Sequence, residues 1–253
     1  MDDCIRIPNG LPLYLAGKLI NDFDTIFCQA INNSVYFIGA RDHLSIKLKI
    51  FNNLGLFPDQ DYNWDYAYAF KSEDLKRNID WFRNKANSNK NERLNILPSE
   101  DKISIYNNIV KAELCSYVKK RSPIPRVPEM NDGVSAKISN LKDLVDQIRA
   151  INDEIVNLKL VNSELIISGM MHESPIYTIR VAQNFEIGEK STRCLKPMLL
   201  ISCQLASELG MAELRFHPGG AIQLSSKGDY MSVRCLLTTI DIVDSARPGN
   251  YPR

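Results

Sequence analysis

The chain has 253 residues, of which 44% are apolar and 24% charged, and its formal net charge is +1. Such a length holds one large domain or two of about 120 residues each. The composition excludes a disordered chain, no apolar run approaches the roughly 20 residues of a membrane span, and the balanced charge excludes a general attraction to polyanions, so any basic surface has to be local.

The opening "MDDCIRIPNG" is acidic and lacks the basic-then-apolar order of a secretory signal. Ile5-Arg6-Ile7 reads as a short strand. "LPLYLAGKLIND" then has helical character, with Leu15 and Leu19 one turn apart. In "INNSVYFIGA" the pair Asn33-Ser34 marks a turn between two strands, because Asn tolerates the left-handed region and Ser bonds locally to backbone. "DHLSIKLKIF" alternates: Leu44, Ile46, Leu48 and Ile50 face one way, Ser45, Lys47 and Lys49 the other. That is a half-buried strand. "SEDLKRNIDWFRN" offers a Ser72 cap and a stripe of Leu75, Ile79 and Phe82. Trp81 falls on its polar side, placed to pack on a neighbouring helix or to stack on a base or partner. Three strands follow near 94–97, 103–106 and 110–117. "VKKRSPIPRVPEMNDG" has three prolines, four basic residues and no periodicity, which predicts a linker.

The same order then returns. Val134–Ala136 opens it. Leu141, Leu144, Val145, Ile148 and Ile151 have helical spacing, with Ser139 or Asn140 as cap. "LVNSELIISG" repeats the Asn-Ser turn at a constant offset of 129 residues, Asn162 for Asn33 and Ile167 for Ile38. "PIYTIRVA" alternates through Tyr177, Ile179 and Val181, at the places of Leu48 and Ile50. "KPMLLISCQLASELG" has Pro197 in its first turn, a stripe of Leu199, Cys203 and Ala206, and Gly210 as a stop. Strands near 213–216, 222–225 and 230–237 close the series. The chain therefore reads as two copies of strand, helix, three strands, helix, three strands, against the plainer alternative of one α+β domain with accidental likeness.

This layout resembles the sliding clamps of archaea and eukaryotes, the proliferating cell nuclear antigen (PCNA) type. "ARDHLSIKLKIF" is similar to the family's strand with a His before alternating apolar residues, and "LLISCQLASELGMAELRF" with "YMSVRCLLTTID" to its last helix and closing strands. The resemblance implies an α+β clamp fold: two pseudo-repeated domains, each with two helices on one face of antiparallel sheets. It divides the chain into an N-terminal clamp domain (1–118), a connecting linker (119–132), a C-terminal clamp domain (133–242) and a tail (243–253). It implies a ring of three chains around duplex DNA, closed by edge strands near 109–117 and 175–182. Such a ring tracks phosphates without reading sequence and needs no cofactor. Its implied partners are DNA polymerase, other clamp clients and a clamp loader, as a homotrimer or heterotrimer with no membrane attachment. Its place would be the nucleus in a eukaryote, otherwise the cytoplasm.

Carried onto this sequence, the DNA-facing cations are Lys18, Lys76, Arg77, Arg83, Lys85, Lys142, Arg149 and Lys196. The basic face is patchy, with Asp143 and Asp146 where cations are expected. That departure favours one subunit of a hetero-ring, as in checkpoint-type clamps. A further alternative is a clamp-fold viral adaptor or transcription factor that never encircles DNA. The implied client pocket uses His43, Leu44 and Ile46, Ile124 and Val127 of the linker, and Leu237 with Thr238 and Thr239. The family's linker is often acidic, whereas this one carries Lys119, Lys120, Arg121 and Arg126.

Catalysis finds little support. His43, His172 and His217 are the available imidazoles, and His217 in "FHPGG" reads as turn chemistry. No GxSxG, P-loop or HExxH appears. The six cysteines (Cys4, Cys28, Cys115, Cys194, Cys203, Cys235) form no CxxC pair. They fit buried free thiols in a reducing intracellular setting, with no metal site.

Overall fold

The computed structural model describes residues 5–7, 23–32, 34–41, 43–51, 64, 66–71, 94–106, 111–115, 118–120, 127–171, 175–183, 189–229 and 231–240. Its first half runs β1 (Ile5–Ile7), β2 (Thr25–Ile31), β3 (Ser34–Arg41), β4 (Leu44–Ile50), β5 (Ala67–Lys71), β6 (Leu94–Pro98), β7 (Lys102–Tyr106), β8 (Lys111–Cys115) and β9 (Val118–Lys120). The second half has β10 (Val134–Ile138), α1 (Leu141–Ala150), β11 (Ile155–Val161), β12 (Glu164–Gly169), β13 (Ile176–Arg180), β14 (Ala182–Gln183), β15 (Lys190–Leu195), α2 (Lys196–Ser207), β16 (Ala212–Phe216), β17 (Ala221–Lys227) and β18 (Met231–Thr238).

The strands form three sheets with antiparallel pairing. A ten-stranded sheet has the order β14-β10-β16-β17-β18-β4-β3-β2-β5-β9, and two four-stranded sheets have the orders β1-β6-β7-β8 and β13-β12-β11-β15. The large sheet crosses the middle of the chain through one joint, where β18 pairs with β4 from Met231↔Ile50 to Leu237↔Leu44. The two copies are visible in this order. The set β10, β16, β17, β18 repeats β1, β6, β7, β8, and the set β13, β12, β11, β15 repeats β4, β3, β2, β5.

Between its helix positions the first copy has four strands, not three, with β5 additional; the second has five, with β15 and the two-residue β14 additional. β5 ("AYAFK") is buried on both faces, so it shows no alternation, and β15 ("KSTRCL") is polar and runs directly into α2. The hairpin register also departs from a constant offset. Ile31↔Ser34 and Val161↔Glu164 close the two turns, so equivalent positions there lie 130 apart. In the next strand the spacing is 129: Phe37↔Leu48 corresponds to Ile167↔Tyr177. The loop between β3 and β4 absorbs the difference.

α1 forms where the stripe predicts it. Leu141, Leu144, Val145 and Ile148 are buried, and Asn140 caps the start by accepting a hydrogen bond from the Asp143 N–H at 3.4 Å. In α2 Pro197 sits in the first turn, and Leu199, Cys203, Leu205 and Ala206 are buried. α1 packs on α2, and α2 lies over β15, β17 and β18. The helices predicted at 11–22 and 72–86 lie outside the described residues. Among the described residues, no helix is long and apolar enough to cross a membrane.

The core is continuous through both halves. Four cysteines belong to it. Burial pushes the Cys194 and Cys235 thiols up to about 12 and raises those of Cys28 and Cys203 as well, whereas Cys115 on β8 is exposed. A thiol-reactive dye applied to the native protein, followed by peptide mapping, is expected to label Cys115 quickly. Cys28, Cys194, Cys203 and Cys235 should react only in denaturant.

Candidate functional site

The described helix layer presents a neutral surface. On α1 the exposed charges are Lys142, Asp143, Asp146 and Arg149. Arg149 is paired with Asp146 at 3.1 Å, and the Asp143 carboxylate is engaged by the Asn140 amide at the cap. Lys196, at the start of α2, directs its ammonium to the Ile151 carbonyl at the end of α1. It ties the two helices together, and the positive group is favourable at a helix C-terminus. Lys142 is thus the expected DNA-facing cation that stands exposed without an ion pair among the described residues. Lys18, Lys76, Arg77, Arg83 and Lys85 lie outside the described residues, as does Trp81.

The opposite side of the large sheet is built by register. Leu44, Ile46, Leu48 and Ile50 of β4 point into the core, each at most 1% exposed, so β4 turns Ser45, Lys47 and Lys49 outward. Cross-strand pairing continues these positions in rows. One row runs Ile38, Lys47, Arg234, Ser225, Glu213, Lys137 across six strands. The next runs Tyr36, Lys49, Ser232, Lys227. Apart from Ile38, which is buried, these residues line a groove of about 500 Å³.

Residues 127–132 form a strap along this face. Val127 is buried. Glu129 pairs with Arg234 of β18 at 2.7 Å, and the Met130 N–H donates to Gln223 Oε1 of β17 at 3.2 Å. The Asn131 carbonyl accepts from Arg215 of β16, and Asp132 lies 3.2 Å from Nδ1 of the fully buried His217 side chain. The strap ends at Gly133, whose φ is +103°, and a Cβ there would lie 2.2 Å from the Phe216 carbonyl oxygen.

The residues proposed for a client pocket are divided by this geometry. Leu44, Ile46 and Leu237 lie in the core and offer no surface, because alternation places them on the helix side of the sheet. His43 is exposed, with Nδ1 3.0 Å from Thr238 Oγ1 and its carbonyl accepting from the Thr238 N–H at 3.1 Å. Val127 is buried at the start of the strap, and Ile124 and His172 lie outside the described residues. Sequence reasoning passed over the outward set of Tyr36, Lys137, Lys227 and Arg234. The lysines at alternate positions of "SIKLKI" were the available signal. His217 is in the turn, as expected. Among the described residues no group of His, Cys, Asp and Glu could hold a metal ion.

Among the sheet edges of the described residues, two matter for pairing with another chain. β8 pairs with β7 on one side, and β13 with β12 on one side. β13 exposes Ile176 at 70%, together with Thr178 and Arg180. β8 carries a charge cluster in which Glu113 is 2.9 Å from both Lys102 and Lys111.

No family model matches the chain, and no curated relative does. Solved structures do. The PCNA of Thermococcus kodakaraensis superimposes with a TM-score of 0.75 at 11% identity, over 94% of this chain and 99% of that one. The PCNA2–PCNA3 complex of Sulfolobus tokodaii gives 0.74 at 13% identity, over 93% and 98%. The DNA polymerase sliding clamp of Bacillus subtilis gives 0.74 at 14% identity, over 94% of this chain and 64% of that one. The fold is that of a sliding clamp. Its two-copy layout and α+β class agree with the sequence reading, and the likeness at these identities is one of fold.

Within the clamp fold, the strap and the edge cluster give two expected outcomes. Gly133→Ala should cost about 2 kcal/mol or more in chemical denaturation, because both the left-handed backbone and the Phe216 carbonyl resist a side chain. The Glu113 carboxyl is held down at about 2 by hydrogen bonds from Lys102 and Lys111. Its contribution to stability is therefore present above the ordinary carboxylate range and is lost as pH falls through about 2. An NMR titration of Glu113 should show that low midpoint, and Lys102→Ala should raise it.

Proposed function

We propose that the chain is a ring-forming clamp subunit that encircles duplex DNA and tethers DNA polymerase and other client proteins, without chemistry of its own. One observation carries this reading. The internal joint pairs β18 of the second copy with β4 of the first. By position in the repeat, β8 is the counterpart of β18 and β13 the counterpart of β4, and both are edges. A second copy of the chain therefore offers β8 the same kind of strand that β4 offers β18. Head-to-tail pairing of this type is heterologous, and it gives a closed ring when the rotation per chain divides the circle. Closure also covers two edges that otherwise invite aggregation. Duplex held in such a ring is retained by topology, so weak sequence-independent phosphate contacts suffice. Lys18, Lys76, Arg77, Arg83, Lys85, Lys142 and Arg149 are the proposed contacts, loaded by a clamp loader.

A second reading is a ring of unlike subunits. The neutral outward face of α1 and α2 favours it, since partner subunits would then supply phosphate-binding charge. The complex between PCNA2 and PCNA3 shows that a clamp of this fold associates with a different one. The C-terminal region of FEN-1 bound to the A. fulgidus PCNA supports client docking as a property of such chains.

Light scattering at micromolar concentration tests the homotrimer, which should have three times the mass of the 28.7 kDa chain. Ile176→Asp on the β13 edge should shift that species to monomer without changing the melting temperature. The ring should also stimulate a polymerase on closed circular template and lose the effect on linear template with free ends. A monomer at all concentrations, alone and with candidate partner subunits, sinks both ring readings.

A further inference from the structure

We propose that the groove on the outward face of the ten-stranded sheet, between Lys47, Lys49, Lys137 and Lys227, docks an acidic, extended segment of a partner protein. This goes beyond the ring reading and stands whether or not the chain closes on itself.

Charge complementarity selects the occupant. Five cations line the groove against two carboxylates, and both carboxylates are already committed. Glu129 is paired with Arg234 at 2.7 Å. Glu213 is paired with Arg215 at 2.5 Å; burial raises its carboxyl, but hydrogen bonds from Arg215 and Ser135 outweigh that and hold it below the usual range. Among the described residues, no carboxylate lies within ion-pair distance of Lys47, Lys49, Lys137 or Lys227. Three of these lysines rest on aromatic rings instead. Lys47 Nζ is 4.4 Å from the Tyr36 centroid, Lys49 Nζ 5.6 Å from both Tyr36 and Phe51, and Lys227 Nζ 5.3 Å from Phe51. Lys47 is depressed from its ordinary range, first by burial and further by Arg234 and Lys49, against the opposing pull of Tyr36 and Glu129. An incoming carboxylate relieves that stress and replaces the ring contacts with charge-assisted hydrogen bonds.

The shape fits a peptide. Lys47 and Lys49 are two residues apart on one strand, about 7 Å, which is the repeat of alternate side chains in an extended peptide. A volume of about 500 Å³ holds a few residues. Single-stranded nucleic acid fits less well, because its sites present bare aromatic platforms for bases. Here Tyr36 and Phe51 already carry ammonium groups. The groove also lies on the face opposite the helix layer, away from the proposed path of duplex DNA.

The test uses the full-length chain and a fluorescein-labelled short peptide with glutamate at alternate positions, followed by fluorescence anisotropy at low and physiological salt. The peptide should bind, weaken with salt, and lose affinity about tenfold in Lys47→Gln/Lys49→Gln. Lys227→Gln, at an exposed position that cannot disturb the core, should weaken it in the same direction, while Lys190→Gln on the other sheet leaves it unchanged. Melting temperatures of all variants report that they fold. The proposal is overturned if the full chain does not bind the peptide, if binding survives in the folded double variant, or if a single-stranded oligonucleotide of equal charge binds more tightly and is lost in that variant.

Discussion

Strand β4 is hydrogen-bonded on both sides, to β3 and to β18, and this double pairing turns two half-chains into one sheet. Its register has a single solution. Leu44, Ile46, Leu48 and Ile50 fill the core on one face, while Lys47 and Lys49 line the groove on the other. A slip of one residue would send two lysines into the apolar interior and four aliphatic side chains into water. The core and the basic groove are therefore two consequences of the same constraint, and neither can be altered by register without loss of the other.

The duplication gives that constraint a second meaning. In the first copy the strand is sealed inside the large sheet; in the second its counterpart β13 stands at an edge, half-buried at Tyr177 and Ile179 and open at Ile176. One design of strand thus appears once satisfied and once unsatisfied in the same chain. The β8 edge is managed differently, by the Lys102–Glu113–Lys111 cluster, which discourages indiscriminate pairing while leaving the backbone groups available. An edge led by one exposed isoleucine and an edge of fixed charges discriminate between partners better than two identical edges could.

Much of this was legible in the sequence, for identifiable reasons. The stripe from Leu141 to Ile151 and the alternation from Leu44 to Ile50 are strong because periodicity survives where one face is buried. β5 was invisible because burial on both faces erases the period, and β15 because its side chains are polar on the open side. The repeat was recognised but placed one residue off in the hairpin. The chain matches as Asn-Ser, whereas the hairpins close at Ile31↔Ser34 and Val161↔Glu164, and Asn32, Asn162 and Ser163 carry the positive φ. The expected client pocket includes Leu44, Ile46 and Leu237, and alternation places these three side chains in the core. The strap was legible only as a linker, because its anchors, Arg215, Gln223 and Arg234, are distant in sequence and become neighbours through the sheet.

The distribution of charge is the remaining argument. A chain with net charge +1 can still carry strong local fields, and here the described ones are sorted by face. The exposed charges of α1, Lys142, Asp143, Asp146 and Arg149, sum to zero, so this helix surface is polar without being attractive. The outward sheet accumulates uncompensated lysines held in place by aromatic rings. In the proposed ring, this sorting is physically coherent. Tight phosphate binding along the hole would slow motion, since each neutralised phosphate adds to the work of moving, whereas retention by topology needs no such contacts. Attraction concentrated on the outer face raises the encounter rate with acidic partners without adding friction on the inner one.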